Sequence, residues 1–500
     1  MAVIGRVKQK KCRRISWYAG IKNGRSFMKR IISFILALSI FAVSASSYYQ
    51  GEEKTYKLSK DVKITQKNIE DYFNNGSYQR QSVNIIEANI SERTTLKPTI
   101  ANEMVLGLET LDSQSQRALN NGENVLASIN CDMFYVSADP PEMFGIPINT
   151  TIIDGVLYTS TININESRHL PVVTIDENNK FNLEHVFLTC NISVTDDEKV
   201  QDYKSYLLNK TYSINGIATY SRRINSESYL SIVDYDNNKT YGVDKDRINL
   251  YMVSGIEDAD NIKAGYKYEG TIIEVYKNCL QAQIPEGCIV ISDYNNKMSA
   301  EAGDKVTFEY SLEQIDEKGS IIQNRNNIEH CVGAFNWLIK DGEIQTEELS
   351  SSSSNELYAK RYARTGIGFK EDGSIIAITV DCIADGTSLG MTMHEFAQLF
   401  SNYGAINAVN FDGGRSTQMM ALSKNKSEMV RINTSTDGGS RPIATGLLFI
   451  AKDGGYKGVG ESNNIFLIVG SSLLIAGLIT FSTIFIINRK KRQKYNKNDG

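Results

Sequence analysis

Asn407–Met420 reads NAVNFDGGRSTQMM. The strand-type run Ala408–Phe411 stops at Asp412-Gly413-Gly414, and Arg415, Ser416 and Thr417 follow at once. Asp-Gly commonly closes a strand in a turn. Two residues without a Cβ also let backbone approach a ligand closely. The segments on either side decide between the two readings.

Upstream, SIIAITVD (374–381) has the composition of a strand ending at Asp381. TMHEFAQLFSNYG (392–404) has helical spacing, with Phe396, Leu399, Phe400 and Tyr403 on one face. Thr392 stands as N-cap, Glu395 completes a capping box, and Gly404 is the stop. AINAVNFD (405–412) is a second strand. A strand, a 23-residue helical crossover (382–404) and a strand fit a parallel pair, which puts Asp381 and Asp412 on one edge of a sheet. Open α/β sheets bind ligands at that edge, so the turn is expected to face a cleft.

Residues 104–134 read as a helix, a glycine turn and a strand ending at Asn130. From 150 to 330, short apolar alternations separated by Asn, Asp and Gly have the rhythm of a largely antiparallel β region. The fold class expected is α+β: a mixed sheet containing the parallel strand–helix–strand unit, an antiparallel β region, and one C-terminal transmembrane helix.

That helix is expected at 465–487, 23 uncharged residues followed by Arg489, Lys490, Lys491, Arg492 and Lys494. Met28–Ala45 has the basic start, short apolar core and small-residue end of a secretory signal. The organisation expected is therefore a signal with a basic extension (1–45), a lead-in (46–80), an extracellular domain (81–452), a linker (453–464), a membrane helix (465–487) and a cytoplasmic tail (488–500). Either Met1 or Met28 suits as the start.

The net charge of −4 hides an asymmetry. Setting aside the 16 basic residues and one acid of the two ends leaves 38 Lys+Arg and 57 Asp+Glu in 46–462, a net of −19. Such a surface disfavours nucleic acid, and an anionic substrate must meet local arginines. Cys131, Cys190, Cys279, Cys288, Cys331 and Cys382 are widely spaced. They suit three disulfides or buried thiols equally. Neither they nor the four scattered histidines have metal-site spacing, so no metal and no cofactor is expected.

Several residue types invite chemistry. The amides after Asp412, with Ser416 and Thr417, can form an anion nest. Arg415 can grip a phosphate or carboxylate with two parallel bonds. RYARTGIGF places Arg364 and Thr365 before a further strand-like stretch, and INCDMF places Asn130 and Asp132 at the end of an apolar strand. Glu395 is already accounted for by the capping box.

Six segments in order resemble the phosphodiester glycosidase family, the domain of the mannose 6-phosphate uncovering enzyme and of many bacterial surface proteins. They are SINCDMF, PINTTIIDGVLY, CVGAFNWLIKDGEI, RTGIGFKEDGSIIAITVD, GMTMHEFAQLFSNYGAINAVNFDGGRSTQM and INTSTDGGSRPIATGLLF, spanning about Gln81 to Ala451. This sequence departs from the pattern at Cys131 and Arg415, where glycines are usual, and at Phe335-Asn336-Trp337, which lacks a proline.

The resemblance implies hydrolysis of a sugar joined through its anomeric carbon to a phosphodiester. It implies arginines for the phosphate, here Arg364, Arg415 and Arg441, and a carboxylate near the sugar carbon, here Asp412, Asp381 or Asp132. Asn130, Thr365, Gly413, Gly414, Arg415, Ser416, Thr417 and Arg441 are the expected substrate contacts. The substrate expected is an exopolysaccharide or cell-wall glycan phosphodiester. The rival reading is a surface module that binds anionic glycans without cutting them. A metal-dependent phosphodiesterase is disfavoured by the scattered histidines.

Overall fold

The computed structural model describes residues 53–72, 78–136, 144–161, 170–197, 199–213, 216–234, 247–345 and 356–459. All of them lie in a unit that begins at Glu53.

The fold is mostly β. An eight-stranded sheet runs in the order Lys54–Lys57, Val62–Tyr72, Tyr78–Ala88, Ile375–Val380, Arg364–Lys370, Ala405–Asn410, Asn336–Lys340, Glu343–Ile344. A five-stranded sheet runs Met429–Arg431, Met419–Leu422, Val125–Asn130, Thr445–Ala451, Thr94–Ile100. Neighbours in both sheets are antiparallel.

Alternation along the strands makes the layers. Ile86, Ile367, Ala377 and Val409 of the first sheet pack on Ala127, Ile129, Met419 and Phe449 of the second. The opposite face of the first sheet, with Ile376, Ile378 and Ala408, carries the helix Met393–Asn402. The opposite face of the second packs on the helix Leu111–Asn120. The order of layers is helix, sheet, sheet, helix. Gly366 makes the first helix fit: a Cβ there would stand 3.0 Å from Phe396 and 2.7 Å from the Val409 carbonyl. The Phe396 and Phe400 rings meet edge to face, centroids 5.1 Å apart, above it.

A 13-stranded sheet drawn from 151–333 curls nearly closed. Its end strands, Val156–Thr159 and Leu207–Leu208, are stitched at a seam by Ser160 N donating to Leu208 O (3.4 Å) and Leu208 N donating to Ser160 Oγ (3.1 Å).

Three expectations need correction. The class is mostly β rather than α+β. The strands Ile375–Val380 and Ala405–Asn410 are not paired; Arg364–Lys370 lies between them, antiparallel to both. The crossover helix thus spans one intervening strand, which the spacing of the two outer strands could not disclose. Because both run opposite to Arg364–Lys370, they still point the same way. The transmembrane helix expected at 465–487 lies outside the described residues, and among those described no helix is long and apolar enough to cross a membrane.

Residues 54–72, expected as a lead-in, supply two strands of the eight-stranded sheet. The six cysteines among the described residues are free thiols. The helix cap forms as its sequence signals: Thr392 Oγ1 accepts from Glu395 N, and Glu395 accepts in return from Thr392 N.

Candidate active site

The 411–418 turn sits where the two facing sheets meet, and Asn130 ties it down. This buried side chain donates from Nδ2 to the Asp412 carbonyl (2.7 Å). Its Oδ1 accepts from Thr365 Oγ1 (2.8 Å), on the eight-stranded sheet, and from Gln418 N (3.0 Å). Asp412 N donates to Cys131 O (2.8 Å), so the strand end 130–131 holds Asp412 from both of its backbone groups. Asn130 and Thr365 therefore build the site from beneath.

The glycines act through the backbone. A Cβ on Gly413 would lie 2.8 Å from the Ala363 carbonyl, so the turn can lie this close to the strand end only with glycine there. Gly414 has φ +60°, in the left-handed region. The expected anion nest is not open. Gly413 N donates to Asp412 Oδ1 (2.9 Å), Gly414 N to Ala363 O, Ser416 N to Gly413 O and Thr417 N to Gly414 O.

What remains for a ligand is a line of side chains. Arg441 Nη1 donates to Ser416 Oγ (3.2 Å), and the Ser416 hydroxyl bonds the Asp412 carboxyl. The Arg441 guanidinium stands over the Phe134 ring, 5.5 Å from its centroid. Burial pushes the Asp412 carboxyl up to about 6, against the Ser416 bond and the charge of Arg441. Asp412 and Arg441 both keep partial exposure, so an anionic molecule can reach them.

The other expected residues surround this line without joining it. Asp381 is buried, and burial raises it to about 6. Its oxygens accept from Asn433 Nδ2 (3.3 Å) and Thr434 N (3.0 Å), which fastens the loop that ends at Arg441 onto the sheet edge. Asp132 is buried with both oxygens held by Asn149, through N (2.7 Å) and Nδ2 (2.8 Å). Thr417 gives its carbonyl to Arg431 and Asn433.

Arg364 is buried too. Its Nε donates to Met391 O (2.9 Å) and its Nη2 to Leu357 O (2.8 Å) and Lys360 O (3.0 Å). It braces the loops beside the strand end, and desolvation lowers it to about 10. Arg415 is two-thirds exposed at the rim, paired with Asp437 (2.6 Å). Glu395 serves its cap and pairs with Arg361.

Asn149, Asn433, Phe134 and Lys210 were not singled out from the sequence. The first two lie in the motif segments PINTTIIDG and INTSTDGG, where an asparagine next to a turn was the available signal. Nothing around Lys210, in LLNKTYS, marks it.

Residues 263–450 match the phosphodiester glycosidase family. The matched span contains Arg364, Asp381, Asp412, Ser416 and Arg441, while Asn130 and Asp132 precede it. An uncharacterized SPbeta prophage-derived protein of Bacillus subtilis, YomE, is 33% identical over 110 residues, which is 21% of this chain and 15% of that protein. A hypothetical protein from Synechocystis shares the fold with a TM-score of 0.59 at 18% identity, over 80% of this chain and 64% of that one. A putative exported protein of Burkholderia pseudomallei does so with a TM-score of 0.54 at 17% identity, over 74% of each chain. The chain thus spans less than two thirds of the curated relative and of the Synechocystis protein.

Proposed function

We propose that this protein is a phosphodiester glycosidase, a hydrolase that releases a sugar from a sugar 1-phosphodiester. The observation that carries the reading is the line Asp412–Ser416–Arg441, a buried hydroxyl between two partly exposed charged side chains at a sheet edge, within the span matching that family. Arg441 is suited to a phosphate oxygen, since its guanidinium is partly exposed and meets Asp412 through Ser416 rather than directly. The Asp412 carboxylate then faces the anomeric carbon, where positive charge develops as the bond to the phosphate oxygen breaks. Water attacks that carbon, Asp412 takes its proton, and the bond pair leaves on the phosphate oxygen. Phosphate leaves easily, so no strong acid is required opposite. The secretory-signal pattern of 28–45 favours glycan phosphodiesters of exopolysaccharide or cell wall as substrates.

The test is release of free sugar from a panel of sugar 1-phosphodiesters by the wild type and by Asp412→Asn. Loss of the base lowers the rate about 10²–10⁴-fold with the circular dichroism spectrum unchanged. A wild type that binds these compounds and releases no sugar is a binding module instead.

A further inference from the structure

Lys210 follows the seam strand Leu207–Leu208 and is fully buried. Among the described residues its ammonium has one hydrogen-bond acceptor, the Pro147 carbonyl (2.6 Å). Pro147 bridges to Phe134, Ile148 N donates to Met133 O, and Asn149 clamps Asp132. One short antiparallel pairing, 132–135 against 146–149, thus runs from the lysine to the aspartate and carries on its way the ring that Arg441 covers.

We propose that Lys210 is the buried counter-ion of Asp132 and a positioning residue of the candidate site. Two buried ionisable groups of opposite sign, one on this pairing and one bonded to it, are costly apart and tolerable together. The packing leaves Asp132 nowhere else to go. Gly333 presses on it so closely that a Cβ there would lie 2.4 Å from the carboxyl carbon, and Asn149 occupies both oxygens. Burial drives the two groups in opposite directions, Asp132 up to about 7 and Lys210 down to about 7, and each charge opposes that drift in the other. Asn209, just before the lysine, has φ +54° and bonds Tyr158 O (2.7 Å), which turns the chain inward at the seam. The nearly closed sheet thereby delivers a cation to Pro147, the bridge partner of Phe134. Holding the 132–135 segment steady is what keeps Phe134 under the guanidinium. This last step rests on the glycosidase reading of the site; the pairing itself does not.

A double-mutant cycle on unfolding tests the pairing in the full chain, with wild type, Lys210→Met, Asp132→Asn and the double variant. Breaking one partner of a buried pair is strongly destabilising, so Lys210→Met raises the unfolding constant about 100-fold in the wild-type background. In the Asp132→Asn background it raises it less than about tenfold, because no charge is left unpaired. The same factor in both backgrounds overturns the proposal. If Lys210→Met does not fold, a double variant that folds supports the pairing, and a double variant that also fails overturns it. The cycle measures no sugar release, so its outcome and that of the glycosidase assay are independent.

Discussion

Asn130→Ala isolates the knot under the turn. The substitution removes three hydrogen bonds at once, a half-buried one to the Asp412 carbonyl and buried ones to Thr365 Oγ1 and Gln418 N. Asn130, Thr365 and Gln418 are buried, so the partners stranded there have little water to turn to. A buried donor or acceptor left without a partner costs about 1–3 kcal/mol. Thr365 can rotate its hydroxyl, which leaves Gln418 N and the Asp412 carbonyl as the main losses. The sum is ~3–5 kcal/mol, a large part of the roughly 5–15 kcal/mol typical of a folded domain. Asn130→Asp keeps both acceptor contacts but aims a carboxylate oxygen at the Asp412 carbonyl, so it fails as well. Equilibrium urea unfolding of the full chain measures the difference. Released from below, Asp412 also drifts, so activity falls in protein that is still folded. An Asn130→Ala cost under about 1 kcal/mol would refute the claim that this side chain holds the site together.

Asp412→Asn keeps the acceptor for Gly413 N and removes the buried charge. The folded carboxyl is raised from 3.8 to about 6, so its contribution to stability is fully present below the unfolded value and lost as pH rises through the folded one. The shift corresponds to ~3 kcal/mol, and partial exposure lowers it to ~1–2 kcal/mol; Asp412→Asn is therefore the more stable protein at about pH 8 and its advantage vanishes near pH 4, as read by thermal melts across pH. In the wild type, sugar release should rise with pH through about 6 as Asp412 ionises, which a pH–rate profile of kcat/KM reports. Arg364→Lys loses most of the three carbonyl contacts of a buried fork and should cost ~2–4 kcal/mol in urea unfolding, with little change in KM; a KM rise without loss of stability would return Arg364 to the phosphate.

Much of the site was legible because local signals made it so. The capping box at Thr392 and Glu395 and the apolar stripe Phe396–Tyr403 specify a helix by themselves. The common edge of Asp381 and Asp412 followed from the direction of two strands, and it survives although a third strand separates them. That third strand was not legible as a neighbour. Arg364–Lys370 precedes the unit in sequence, and insertion between later strands is a long-range choice made by sheet packing. Nor do residue types show which polar side chains face solvent. Arg364, Asp381 and Asp132 looked like ligand contacts and are buried supports, whereas Arg441, whose loop Asp381 fastens, reaches the open carboxylate through Ser416. Lys210 is distant in sequence from Pro147 and Asp132, and the closing of the 13-stranded sheet brings it to the Pro147 carbonyl.

Hydrolysis of a sugar 1-phosphodiester in water labelled with heavy oxygen tests the central claim most directly. Attack at the anomeric carbon puts the label in the released sugar and none in the phosphate, and Asp412→Asn slows its appearance about 10²–10⁴-fold. Label in the phosphate would mean that the P–O bond is cut, and would contradict the roles of Asp412 at the sugar carbon and Arg441 at the phosphate.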